Sequence, residues 1–143
     1  MNTPPLTLQQ ARDLLAEALA QARRAGLRPM AVAVLDAAAQ PLALAREELA
    51  PALRLEIAWG KACAAVGMGA NTRALVQRAA ANPPFFAAIA ALPGQRFVPQ
   101  TGGVLLRDAT GAVLGAIGAS GASGDEDEEV CLAAIRAVGL HAG

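Results

Sequence analysis

Gly102-Gly103-Val104-Leu105-Leu106 and, after a turn at Asp108-Ala109-Thr110-Gly111, Gly115-Ala116-Ile117-Gly118-Ala119-Ser120-Gly121 decide how this chain is read. Each is an apolar run of strand length punctuated by glycine. The spacing predicts strands over 104–107 and 112–119, joined by that turn. Ser123-Gly124-Asp125-Glu126 then opens a helix through a capping box. Glycine permits positive φ and close backbone approach, and the first turn of a helix presents N–H groups without intrahelical partners. The segment therefore has two readings: a place to hold a ligand, or strands that pack tightly against a neighbour.

Working outward, Met30 to Leu35 is another continuous apolar run, ended by Asp36. Pro41 can start a strand but not sit in its middle, so Leu42 to Arg46 is expected as the second strand of a hairpin. Thr7-Leu8-Gln9-Gln10 is a capping box. Behind it Ala11, Leu14, Leu15, Ala18 and Leu19 follow helical spacing up to Gly26, with Arg23 and Arg24 complementing the dipole of the last turn. Helices are also predicted over 52–68, from Asn71 or Thr72 through Ala80, and from Pro83 to Leu92. Arg96 to Val98 reads as a short strand. Hairpin-linked strands interrupted by a helical block imply an α+β domain with an antiparallel sheet covered by helices, not βαβ winding.

The 143 residues suit one domain with a real core. Hydrophobic residues make up 55%, aromatics only 3%, and tyrosine is absent, so the core is built from Ala, Leu, Val and Ile. Twelve basic and twelve acidic residues cancel, which excludes the usual footprint of a nucleic-acid binder and of an anionic-membrane binder. No apolar run reaches the ~18 residues of a spanning helix. The segment from Met1 to Thr7 lacks signal-peptide character, and a cytoplasmic location is expected. Cys63 and Cys131 are expected as free buried thiols. His141 is the sole histidine, so no histidine cluster, and no metal site, is expected.

Familiar catalytic motifs fail on inspection. Gly60-Lys61 is followed by Ala62 and is not a P-loop, and the 115–121 glycines do not make the dinucleotide fingerprint. Ser120 lies in Gly118-Ala119-Ser120-Gly121-Ala122, which misses the nucleophile elbow by its last glycine. Isolated polar residues remain. Lys61 sits mid-helix among Ile57, Ala58, Ala62 and Ala65, and the favoured reading is that it snorkels to solvent. The alternative projects it into a pocket as an anion-binding cation, or as a base or Schiff-base nucleophile, which makes it the one catalytic candidate. Asp36 reads first as a turn former. Arg46 reads as solvated or ion-paired, with bidentate carboxylate binding as its functional alternative. Asp125 to Glu129 reads as a dipole-compensating helix start.

Taken together these segments resemble the GlcG/HbpS family, a haem-binding-protein-like group that includes the C-terminal domain of PduO-type proteins. The resemblance runs from Leu6-Thr7-Leu8 through Val32-Ala33-Val34-Leu35-Asp36, Arg46, Ala50-Pro51 and Ile57-Ala58-x-Gly60-Lys61-Ala62. It continues through Thr72-x-x-Leu75, Gly102-Gly103-Val104 and Gly115 to Ala122, and ends at Asp127-Glu128. It implies a profilin-like sheet of about five strands with helices on both faces, and homo-oligomers built from dimers. Some members bind haem, and others accompany catabolic operons. The chain departs from the family where Ala39 replaces a usual hairpin glycine, where Arg54 replaces a usual serine, and where Glu48-Leu49 replaces Asp-Gly.

The reading favoured on these grounds is a small-molecule-binding protein, with haem or another tetrapyrrole as the ligand the resemblance puts forward. Its candidate binding residues are Asp36, Arg46, Lys61, Gly102, Gly103 and Ser120. Two alternatives stand beside it: an enzyme or accessory protein acting on a small organic acid or aldehyde, and an oligomeric scaffold without a ligand.

Overall fold

Alternation along three strands assigns the two faces of the sheet. A computed structural model describes residues 3–143. In β1 (Ala31–Asp36), Val32 and Val34 join one core while Ala31, Ala33 and Leu35 face another. In β3 (Gly103–Arg107), Val104 and Leu106 face the first side and Leu105 the second. In β4 (Val113–Ser120), Ile117 and Ala119 face the first side and Ala116 the second. Both faces are covered, which is why these strands read as unbroken apolar runs rather than as apolar-polar alternation.

The two faces differ in side-chain size. The larger side chains meet α1 (Leu8–Arg24) and α5 (Gly124–Ala137), which bring Leu14, Ala18, Val130 and Ile135. The second face carries mostly small residues and receives the alanine side of α2 (Leu53–Met68), with Ala58, Ala62 and Ala65 buried. Small residues on both partners let α2 approach until backbone nearly meets backbone. A Cβ built on Gly118 would stand 2.2 Å from the Ala58 carbonyl oxygen, and one on Gly103 would stand 2.5 Å from that of Lys61. These glycines are sites of contact between helix and sheet.

With β2 (Pro41–Arg46) and β5 (His141–Ala142), the sheet has five strands in the order β2-β1-β4-β3-β5, with every neighbouring pair antiparallel. The architecture is the α+β arrangement expected, with helices on both faces. Pro41 begins its strand at the edge of the sheet, where its missing N–H costs no ladder bond. Helices α3 (Thr72–Ala81) and α4 (Pro83–Ala90) follow α2, and Phe86 packs with Ala64 and Leu75.

Two expectations change. Residues 96–98 form no strand, because their backbone bonds go to a helix: the Val98 N–H donates to the Gly60 carbonyl at 3.1 Å. Arg96 fastens this strap to α2 by pairing with Glu56 and stacking its guanidinium 3.5 Å from the Trp59 ring. Conversely, β5 is a strand that its sequence does not announce. Its two residues pair with Leu106 and Arg107, too short a segment to show any period.

The β1–β2 turn carries the only described non-glycine residue with positive φ, Ala39 at +61°. Asp36 holds this turn by accepting the Ala38 and Gln40 N–H groups at 2.9 and 3.0 Å. Ala39→Gly is expected to raise stability by about 1 kcal/mol in denaturant melts, since only the left-handed conformation opposes alanine there. Gly118→Ala is expected to lower it by about 2 kcal/mol or more, because the added methyl meets helix backbone that has no room to give.

Candidate functional site

Lys61 projects from the face of α2 that packs on β3 and β4, and it is not in solvent. Only 4% of the residue is exposed. The snorkelling reading is therefore corrected: α2 lies too close to the sheet on this side for the chain to reach water. Its Nζ donates to the Ala119 carbonyl and to Asp127 Oδ2, both at 2.9 Å. Asp127 Oδ1 accepts the Ala122 N–H, also at 2.9 Å. Gly102, at φ +129°, completes the pocket for the ammonium, because a Cβ there would stand 2.7 Å from Nζ.

This pairing also divides the acidic run. Asp125 and Glu128 pair with Arg73, and Glu126 completes the capping box of α5, as a dipole-compensating helix start would. Asp127 instead turns inward and is 1% exposed. Burial pushes its carboxyl above the ordinary carboxylate range, while the Lys61 ammonium, the Ala122 N–H and the Arg54 charge pull it partly back. Lys61 is held here as a bonded cation, whereas a Schiff-base nucleophile works as a free amine.

The other candidates separate into two groups. Ser120 is buried beside the pair and accepts a hydrogen bond from Arg54 Nη1 at 3.2 Å. Gly103 closes against α2, its N–H donating at 2.8 Å to the Thr72 hydroxyl, which donates in turn to the Gly103 carbonyl. Lys61, Gly102, Gly103 and Ser120 thus come together. Asp36 sits at the opposite end of β1, in the hairpin turn. Arg46 spends its guanidinium on the carbonyl oxygens of Ala50, Glu47 and Glu48, at 2.6, 3.2 and 3.3 Å.

Sequence reasoning passed over Arg54 and Asp127. Arg54 stands two turns before Lys61, so the two share a helix face, a spacing that marks both. Asp127 looks like one more acid in an acidic turn, and only the fold shows its direction.

Between α2, the end of β4 and the start of α5 lies a cleft of about 310 Å³. Arg54, Ile57, Thr101, Ser120 and the Lys61–Asp127 pair are among its walls. A second hollow of about 440 Å³ adjoins it across Ala122, but there exposed Arg28 is offset by Glu126 and no charge is buried. Both cysteines are free. Cys131 is buried behind the site, its thiol donating to the Gly102 carbonyl at 3.6 Å, whereas Cys63, expected buried, is only half-buried beside Trp59. Burial raises the pKa of both, which disfavours the reactive thiolate. Among the described residues, no group of three His, Cys, Asp or Glu side chains is placed to hold a metal ion. No described helix is long and apolar enough to cross a membrane.

The family comparison agrees with the fold. The model described as "Haem degrading protein HbpS-like" matches residues 6–136, and the chain belongs to the HbpS-like family. Among solved structures, HbpS is similar at 32% identity and a TM-score of 0.81, over 96% of this chain and 92% of that one. A PduOC complex with haem is similar at 26% identity and a TM-score of 0.85, over 96% and 98%. Protein ORFY of Klebsiella pneumoniae shares the fold at 20% identity and a TM-score of 0.75, over 97% and 94%. No curated protein matches the chain.

Breaking one half of the ion pair strands the other charge in the interior. Lys61→Met and Asp127→Asn are each expected to cost about 3–5 kcal/mol in denaturant unfolding. The double variant is expected to cost well under the sum, since asparagine still accepts the Ala122 N–H and no charge is left behind. In Lys61→Met, Asp127 loses a charge that stabilises its ionised form, so its pKa rises further above the unfolded value. The stability conferred by its protonated form is then complete below the unfolded carboxylate pKa and is lost as pH rises through the folded one. Melts of this variant from pH 4 to 8 should therefore show a fall that the wild type shows less.

Proposed function

We propose that this chain is a small-molecule-binding protein whose ligand enters the cleft between α2, β4 and α5, with tetrapyrroles such as haem the first class to test. The observation that carries this reading is the cleft itself: a concave site with apolar Ile57 and Val76 on its walls, a partly buried guanidinium, and a hydroxyl. Membership in the HbpS-like family and likeness to a haem complex support haem as the first ligand to try.

The residues lining the cleft do not fit the haem iron. Protein ligands to haem iron are typically histidine, methionine, cysteine or tyrosine, and none of these lines it. His141 pairs with Arg107, at the far end of β3 from Gly103, about 13 Å along the strand at ~3.3 Å per residue. Met30 is fully buried in the core beneath α1 and α5. A tetrapyrrole in this cleft is therefore held by its periphery, through its acid groups and an apolar edge. The surroundings supply binding and no nucleophile–base pair, which favours a binding role over covalent chemistry.

Exposed Leu49, Leu53, Phe85 and Leu92 give a homo-oligomer apolar surface to bury, and this reading includes assembly from dimers.

Titration of the purified protein with hemin under reducing conditions tests the ligand class. The expected result is a saturable Soret change at a fixed ratio of hemin to chain that is unchanged in His141→Ala. A linear, non-saturating response would remove tetrapyrroles from the reading. Size exclusion of the same sample is expected to show a species larger than 14.4 kDa.

A further inference from the structure

We propose that Arg54 is a carboxylate anchor, and that the cleft selects ligands by a terminal carboxylate group, whether that of a small organic acid or the propionate arm of a tetrapyrrole. This deepens the reading of the cleft as the ligand site and rests on it.

Three observations converge. First, the charges at the cleft do not cancel. Lys61 and Asp127 neutralise each other at 2.9 Å, both almost wholly buried. Arg54 is left as the surplus cation: among the described residues it has no acidic partner within salt-bridge distance, and its only side-chain bond is the one from Nη1 to Ser120. A guanidinium carries five N–H donors in a planar fork that matches a carboxylate bidentately, so most of its capacity is unspent.

Second, Arg54 stands where helix electrostatics oppose it. It occupies the first turn of α2, the positive end of that helix dipole, and the N-cap Ala52 offers no side chain to the open N–H groups. An arginine here is disfavoured until an anion arrives. The start of α5 borders the same cleft through Gly124, so two helix N-termini flank the place the anion would take. The acids of the α5 first turn are committed elsewhere, Asp125 to Arg73, Glu126 to its own cap and Asp127 to Lys61.

Third, the size is selective. A volume of about 310 Å³ lies at the lower end of small-ligand sites, enough for a compact organic acid or for one edge of a larger molecule. The Ser120 hydroxyl, itself wholly buried, accepts from Nη1 of Arg54 and so positions the guanidinium, whose remaining donors are left to meet a carboxylate. Ile57 and Val76 then face the carbon skeleton.

The test uses three probes: pyruvate by calorimetry, and protoporphyrin IX and its dimethyl ester by fluorescence. Each is titrated into wild type, Arg54→Gln and Arg54→Lys, after ligand-free melts confirm that the variants fold. The expected result is that wild type binds pyruvate, protoporphyrin IX or both, at least tenfold more tightly than Arg54→Gln does. Arg54→Lys is expected to fall between, because it restores charge without the fork. The diester, which has iron-free protoporphyrin's shape and no carboxylate, is expected to lose binding as Arg54→Gln does. Pyruvate binding alone would assign the anchor to small acids, and protoporphyrin binding alone would assign it to propionate arms. Equal affinity in wild type and Arg54→Gln, or undiminished binding of the diester, would overturn the anchor even if hemin binds. Arg54-dependent pyruvate binding without any hemin response would uphold the anchor and remove the tetrapyrrole reading. No binding of either acid would overturn the anchor.

Discussion

The Lys61–Asp127 ion pair ties together elements that lie on opposite sides of the sheet. Lys61 comes from α2 on one face, Asp127 from α5 on the other, and the ammonium's second bond is to the backbone of β4 between them. Such a pair contributes little net stability over an apolar substitute of the same shape, since two charges must leave water to form it. Its effect is positional. With both partners spent on each other, the end of the sheet has a fixed geometry, and Gly102 is confined to a residue without a side chain. The cleft exists because this corner is held open by polar groups rather than filled by packing.

Helix α2 transmits that constraint. Its approach to β3 and β4 is set by Gly103 and Gly118, whose missing side chains make room for helix carbonyl oxygens. The same approach buries Lys61 and brings Arg54, two turns earlier on the same helix face, to Ser120 at the end of β4. Packing and site are thus one arrangement: a change in the distance between α2 and the sheet moves the cation that faces the cleft.

Much of this was legible in the sequence. Glycine-punctuated apolar runs and two capping boxes gave the order of strands and helices, and Ala31-Val32-Ala33-Val34 carries the small and large faces of the sheet in plain alternation. The site was only half legible. Lys61 stood out as a cation among alanines, but its direction depends on how closely α2 sits, which no local pattern states. Asp127 was masked by acidic neighbours of ordinary capping character, and Arg54 by its place in a first turn where a charge usually means solvent. Arg46 drew notice as a strand-end cation, yet its guanidinium closes the loop that follows it. Residue type announces a charge, but long-range geometry decides what the charge meets.

A crystal structure of the protein grown with pyruvate, or with hemin, tests this account most directly. It predicts a ligand carboxylate against the Arg54 guanidinium, with Ser120 and the Lys61–Asp127 pair intact behind it. A ligand seated at the His141 end of the sheet, or one bonded to Lys61 in place of Asp127, would contradict it.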